Sequence, residues 1–374
     1  MITIKEVSSK KELKLFVKFP FKLYKDSNYW VPPIISQEMA TFDKKTNPIF
    51  KDAEARFFLA YKGDDIVGRV AAIINWIEVN EQNQKKMRFG WFDVIDDVEV
   101  TRLLIDRVMQ IGRENHLEYI EGPVGFSNLD KVGVMTEGFE HLGSMITWYN
   151  YPYYAEHFKT LGFKDEKWYL ESQFKFSNVN PDFFIKAEEL IKKRYGVKGL
   201  NFTKTSEVMP YTDKMFDLFN LTYASLSSFV AITDIQKAYF KKKFVNFINP
   251  EYIKFVVDKE DNLIAFSIVM PSFAKALQKA NGHLFPFGFR HLLNAKKNSK
   301  DVVFYLIGIH PDYQNKGVTA IIFNEYYKVF TKKGIENCIR TPELEDNIAI
   351  QQIWKHFDPV VTKRRKTVCK EITQ

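Results

Sequence analysis

The chain has 374 residues, 45% of them hydrophobic and 27% charged. That length exceeds one ordinary core and predicts two domains of roughly 150 residues each, while the composition excludes global disorder and fibrous architectures. A net charge of +8 favours an anionic partner, which by sign alone could be nucleic acid, a membrane surface or a phosphorylated small molecule.

The opening residues MITIKEVSSKKELK lack the apolar centre of a signal peptide, and no apolar run approaches the ~18 residues of a membrane span, so a cytoplasmic protein is expected. ITIKEVS (2–8) alternates like a strand, and 10–26 has helical spacing until Pro20 disturbs it. Residues 55–75 read as a hairpin about Gly63, Asp64 and Asp65. MRFGWFDVIDD predicts a strand, 98–116 a helix, LEYIEGPVG a strand, and YYAEHFKTLGF a short helix ending at Gly162.

After residue 200 a similar order returns: NFTKTS as a strand, 209–226 and 232–248 as helices, and 252–270 as a hairpin about Asp261 and Asn262. Then come the strand VVFYLIGIH, a helix over 318–333, the strand IENCIRTPE and the helix NIAIQQIWKHF. The pattern predicts duplication, with domains at 1–175 and 200–374 and a linker at 176–199. The runs KKK (241–243) and KRRK (363–366) read as solvated faces. Cys338 and Cys369 lie in strand-like sequence, which suits reduced thiols, and no metal site is expected. Nucleic-acid binding has only charge and aromatic abundance behind it and is not expected.

In FYLIGIHPDYQNKGVTAIIFNEYYKVF (304–330) a lone glycine stands where a strand hands over to a helix. The first N–H groups of a helix lack partners within it, its dipole adds positive charge there, and glycine lets backbone approach a phosphate closely. Gln314 to Thr319 can therefore cradle pyrophosphate, with Lys316 adding charge; an ordinary turn is the plainer alternative. With its flanking strand, helix, strand and helix, the motif Gln314, Asn315, Lys316, Gly317, Val318, Thr319 resembles the [Q/R]-x-x-G-x-[G/A] signature of the GCN5-related N-acetyltransferase (GNAT) family. The resemblance implies an α/β (α+β) fold of two tandem GNAT-like domains, each a mixed, mostly antiparallel sheet flanked by helices. It also implies acetyl-CoA or another acyl-CoA as cosubstrate and direct acyl transfer to a small-molecule or peptide amine. By the same resemblance Ile307, Gly308 and Ile309 would flank pantetheine, Asn315 to Thr319 the pyrophosphate, and Asn347 the CoA arm.

Two positions depart from the family pattern: Thr319 replaces glycine or alanine, and Trp354 stands where many members carry a tyrosine acid. The first half resembles the family through YYAEHFKTLGF, but its turn carries Asp96, Asp97 and Glu99 and no glycine, so it reads as a copy unable to bind CoA. Glu343 is a candidate base and Glu137 a second, each with a structural alternative, as has His310. Tyr149, Tyr151 and Tyr153 are candidates for acceptor binding, with core packing as the alternative. The insert 271–293 reads as core or as a lid over the acceptor or acyl pocket. A non-catalytic protein that binds CoA or a partner on the same fold is the alternative to an enzyme.

Overall fold

The computed structural model describes residues 1–373 apart from 128, 227–228 and 245–247, so the end of the helix expected at 232–248 lies outside the described residues. In chain order the strands are β1 Ile2–Glu6, β2 Ala53–Lys62, β3 Asp65–Asn75, β4 Lys86–Val94, β5 Tyr119–Gly122, β6 Val134–Glu137 and β7 Lys164–Lys175. β8 Lys198–Leu200, β9 Ile253–Val257, β10 Leu263–Pro271, β11 Asp301–Ile309, β12 Asn337–Leu344 and β13 Val360–Glu371 follow. They form one sheet in the order β1-β2-β3-β4-β5-β13-β7-β12-β11-β10-β9-β8, with β6 beside β13.

Local chemistry sets many boundaries. Ser9 and Glu12 form a capping box that starts the helix Lys10–Leu23, which tolerates Pro20 in its last turn. Gly196, at φ +65°, stops the helix Pro181–Tyr195. NFTKTS is not a strand: β8 ends at Leu200, and Thr205 already opens a helix. Its Asn, Thr and Ser residues favour caps and turns over a ladder.

The two halves repeat one plan. β4 and β5 are parallel, as are β11 and β12, and each parallel pair encloses a helix, Val98–Glu114 or Thr319–Lys333. Both hairpins feeding these pairs carry a register shift, between Arg69 and Ala71 in β3 and between Ile268 and Val269 in β10. One aromatic and aliphatic core lies beneath each parallel pair.

The last strands are exchanged. β7, which ends the first repeat, pairs with β12 of the second; β13, which ends the second, lies between β5 and β7. Most of residues 176–199, between the halves, form the helix Pro181–Tyr195, which packs on the helix Thr319–Lys333.

KRRK is not a solvated face. Strand alternation turns Lys363 and Arg365 inward, where they are 5% and 0% exposed, to meet Glu171 of β7. A charge run in β conformation divides between two faces, and here one of them is the interior.

Candidate active site

β11 and β12 are hydrogen-bonded only from Asp301 and Asn337 to Phe304 and Arg340. Beyond that point they diverge, and residues 305–309 and 341–344 line a cleft of about 760 Å³. Tyr305 falls at the register shift, opposite the step from Ile268 to Val269, so the ladder is interrupted where the cleft opens.

At its end β11 runs into the turn 310–318. Asn315 and Gly317 both take positive φ, +59° and +74°. A Cβ on Gly317 would lie 2.8 Å from Ile191 Cδ1, so this turn is shaped for glycine. The helix Thr319–Lys333 follows with Val318 as its N-cap and no side-chain cap bond, so no side chain of the cap covers its first N–H groups. Gln314 Nε2 donates to Ile309 O at 3.2 Å and braces the turn against the strand.

Of the residues expected to hold a cofactor, Ile307, Gly308, Ile309, Gln314, Asn315, Gly317, Val318, Thr319 and Asn347 line this cleft. Lys316 points aside, its ammonium over the rings of Tyr195 and Tyr313 at 5.4 and 5.3 Å, which leaves it near the turn but outside the lining. Asn347 caps the next helix by accepting from Ile350 N at 3.2 Å. Gly308 is fixed by packing, because a Cβ there would meet Phe266 Cε1 at 2.4 Å.

Glu343 lies in the cleft wall. Its carboxylate is held by Arg340 and accepts from Trp354 Nε1 at 2.9 Å. Burial raises its pKa above 4.5, against the lowering effect of Arg340 and Trp354. Trp354, 1% exposed, is thus a donor that orients Glu343 and packs against Phe304 and Phe323. Glu137 is elsewhere: it ends β6, exposed, 3.4 Å from Arg364 Nε, and is not in the cleft lining. His310 serves the turn, where its ring nitrogen accepts from Asp312 N.

The far wall of the cleft comes from the first half: Arg88, Glu121, Asp130, Lys131 and Tyr169. Arg88 pairs with Glu78 at 2.6 Å, Lys86 with both Glu78 and Glu121 at 2.9 and 2.8 Å, and Lys167 with Glu121 at 3.1 Å. Burial opposes the Glu121 charge, but Lys86 and Lys167 outweigh it and hold the pKa down to about 2. Burial also lowers the Lys131 ammonium below the usual lysine range. Sequence reading missed this wall, although Arg88 and Glu121, charges set among apolar residues of strands, were the available signal.

Acid sensitivity follows from Glu121. A folded-state pKa below the model-peptide range contributes stability above about pH 4.5, on the order of 3 kcal/mol, that is lost as pH falls toward 2. Urea titrations between pH 6 and pH 3 are expected to show that loss, and to show less of it in Glu121→Gln; the same pH slope in both proteins would contradict the network.

No known family profile matches the sequence. Protein YghO of Escherichia coli K12 is 24% identical over 375 residues, covering 97% of this chain and 94% of that protein. A bacterial ceramide synthase of Caulobacter vibrioides is 23% identical over 323 residues, 84% of this chain and 82% of that one. Among solved structures, a tandem GNAT protein from the clavulanic acid biosynthesis pathway superposes with a TM-score of 0.59 at 10% identity, over 100% of this chain and 99% of that chain. The fold is that of a tandem GNAT protein. A GCN5-related N-acetyltransferase from Sphaerobacter thermophilus agrees, with a TM-score of 0.53 at 6% identity over 100% and 96% of the two chains.

Within this tandem GNAT fold the first-half counterpart of the cleft is closed by its own chain. β4 and β5 part after Arg88 and Glu121, yet Val124 N donates to Phe89 O at 2.8 Å, and a Cβ on Gly90 would lie 2.2 Å from Val124 O. At the end of β4, Tyr154 Oη accepts from Val94 N and Tyr153 Oη donates to Val94 O, at 3.0 and 2.7 Å. Asp97 caps the following helix by accepting from Glu99 N, and Asp96 lies 3.2 Å from the His157 ring. Side chains of this chain therefore occupy the strand end and the turn.

That arrangement relocates the three tyrosines. Tyr153 serves β4, while Tyr149 and Tyr151 pack around Tyr24 with ring centroids 5.6 and 5.2 Å away; none lines the cleft. The insert 271–293 is not a lid over it either. None of its residues lines the cleft: it leaves at the Asp301 end of β11 and seats Phe273, Leu277 and Leu284 on Val31, Ile34 and Leu142.

Proposed function

We propose that this protein is an acyl-CoA-dependent N-acyltransferase that binds CoA only in its second half. The observation that carries the reading is continuity: the gap between β11 and β12 runs into the turn at Asn315 and Gly317 and the start of a 15-residue helix that carries no side-chain cap. Pyrophosphate fits against those N–H groups, and an extended pantetheine fits along residues 305–309. The thioester then lies toward Glu343 and the first-half wall.

In the reaction a neutral amine attacks the thioester carbonyl, the new C–N bond forms, and the C–S bond breaks. Glu343 takes the proton that the amine nitrogen loses, directly or through one water, and burial makes it a stronger base than an exposed carboxylate. Trp354 supplies no acid. A thiol with a pKa of about 8.5 leaves acceptably as its anion and takes its proton from solvent. Backbone N–H at the Tyr305 irregularity is the candidate to polarise the carbonyl.

One relative is named a ceramide synthase, and ceramide is a long-chain amine acylated on nitrogen. The cleft includes Leu129, Ile146, Phe183 and Leu226, apolar walls that suit an amphiphilic amine or a long acyl chain. Thiol release from acetyl- and palmitoyl-CoA with short and long-chain amines tests the proposal. Amine-dependent release supports it, whereas tight CoA binding without release under any pairing overturns it in favour of a non-catalytic binder.

Glu343→Gln is expected to lower kcat by roughly a hundredfold to ten-thousandfold with CoA affinity nearly unchanged. In the parent enzyme the acid limb of kcat/KM should lie above pH 4.5, because the free carboxyl is raised, and it should vanish in the variant. A limb that persists in a folded Glu343→Gln protein assigns the base elsewhere.

A further inference from the structure

From residue 262 to residue 300 the chain contains six lysines and arginines and no aspartate or glutamate. This stretch includes two helices, Ala274–Ala280 and Gly288–Asn298, that join β10 to β11. One side is tied down: Phe273, Ala274, Leu277 and Ala280 are buried with Val31 and Ile34, and Leu284, Leu292 and Ala295 pack against them. The other side is apolar and open. Phe285 is 78% exposed, and Phe287 and Leu293 are each 61% exposed.

These exposed groups are organised. Phe285 contacts Phe289 with ring centroids 5.7 Å apart, and the Arg290 guanidinium lies 5.5 and 6.0 Å from the Phe287 and Phe289 rings. On the second helix Arg290, Leu293 and Lys297 recur at intervals of three and four, which puts an apolar residue between two cations on one stripe. Exposed aromatic and leucine side chains rimmed by cations are the composition of a helix that lies in a lipid interface. No helix among the described residues is long and apolar enough to cross a membrane, so the contact is peripheral.

We propose that the segment 283–298 docks this protein on an anionic bilayer surface, with Phe285, Phe287 and Leu293 entering the interface and Arg290 and Lys297 meeting lipid phosphates. Charge selects this occupant. A second copy docked face to face would set Arg290 and Lys297 against their own kind, with no carboxylate in the stretch to pair them. An anionic bilayer supplies both the apolar medium and the countercharge. The inference rests on the surface alone and is independent of the acyl-transfer reading.

Sedimentation of the full chain with phosphatidylcholine vesicles, with and without phosphatidylglycerol, tests it. Binding is expected only with phosphatidylglycerol and is expected to weaken as salt rises. Arg290→Glu with Lys297→Glu should lower vesicle affinity by roughly 25-fold or more, about fivefold for each cation removed. Phe285→Ser with Phe287→Ser should lower it by roughly tenfold or more. Melting curves check that the variants fold; the charge pair sits on exposed positions and keeps the test usable if the phenylalanine pair does not. Equal binding to uncharged vesicles, unchanged binding in both folded variants, or a patch-dependent dimer that ignores vesicles overturns the proposal.

Discussion

Gly317→Glu is expected to weaken CoA binding by roughly a hundredfold or more, about 2.7 kcal/mol. Three effects act in one direction. The turn holds residue 317 at φ +74°, where a side chain is strained by about 1–2 kcal/mol. The new Cβ would begin 2.8 Å from Ile191 Cδ1, so the end of that side chain must give way. The carboxylate would also stand at the helix start where pyrophosphate charge is received.

Gly317→Asn removes the carboxylate and most of the φ penalty together and leaves only the contact with Ile191, because asparagine tolerates positive φ and Asn315 already adopts it two residues earlier. The asparagine variant should keep most of the affinity that the glutamate variant loses. Calorimetry on both proteins, with melting curves, decides the matter. The unmodified chain should bind one CoA, since the first-half gap is occupied by Val124 and its turn by Asp96 and Asp97. Unchanged affinity in a folded Gly317→Glu protein, or two equivalent sites in the parent, would refute the assignment.

The turn was legible because its chemistry is local. A strand, a glycine with positive φ and an amphipathic helix are adjacent in sequence, and their order predicts the geometry. The place of Glu343 in the cleft wall was reachable on the same terms, since it lies near the end of β12, the strand that diverges from β11. What could not be read was pairing at long range. Nothing in VVTKRRKTVCKE says that the strand will enter the other half, and a charge run looks alike on a free surface and opposite a buried glutamate.

The far wall of the cleft stayed hidden for the same reason. Arg88 and Glu121 belong to the first repeat, and the exchanged strands bring that repeat against β12. The tyrosines misled because residues 149–154 carry many aromatic groups near a proposed site. In the structure their hydroxyls satisfy neighbouring backbone instead: Tyr153 donates to Val94 O, and Tyr151 donates to Leu23 O at 3.4 Å. Hydroxyls committed to buried main chain are unavailable to a ligand.

Arg365→Ala is expected to destabilise the whole protein by about 3–5 kcal/mol, because it strips a buried carboxylate of its main partner. Arg365, on β13, pairs with Glu171 of β7 at 2.5 Å and donates to the carbonyls of Val132, Gly133 and Trp148 at 3.0, 3.4 and 3.3 Å. Burial works against the Glu171 charge, and the two cations Arg365 and Lys363 hold its pKa below the usual range; the alanine variant leaves only Lys363, 3.5 Å away. A double-mutant cycle with Glu171→Gln should recover only part of the loss, since it removes the stripped carboxylate but leaves the buried Lys363 without its partner. The defect should also spread. β13 completes the first half and β7 completes the second, so amide protection in β2–β4 and in β9–β11 should fall together. If β2–β4 alone loses protection, or if folded Arg365→Ala costs under about 1 kcal/mol, the exchanged strands do not join the halves into one cooperative unit. Val132 connects this clamp to function, because it accepts from Arg365 and also lines the cleft. Arg365→Ala protein that remains folded should therefore show a raised KM for the amine with CoA affinity retained, because the loop from 129 to 132 loses its anchor while the turn at Gly317 keeps its own.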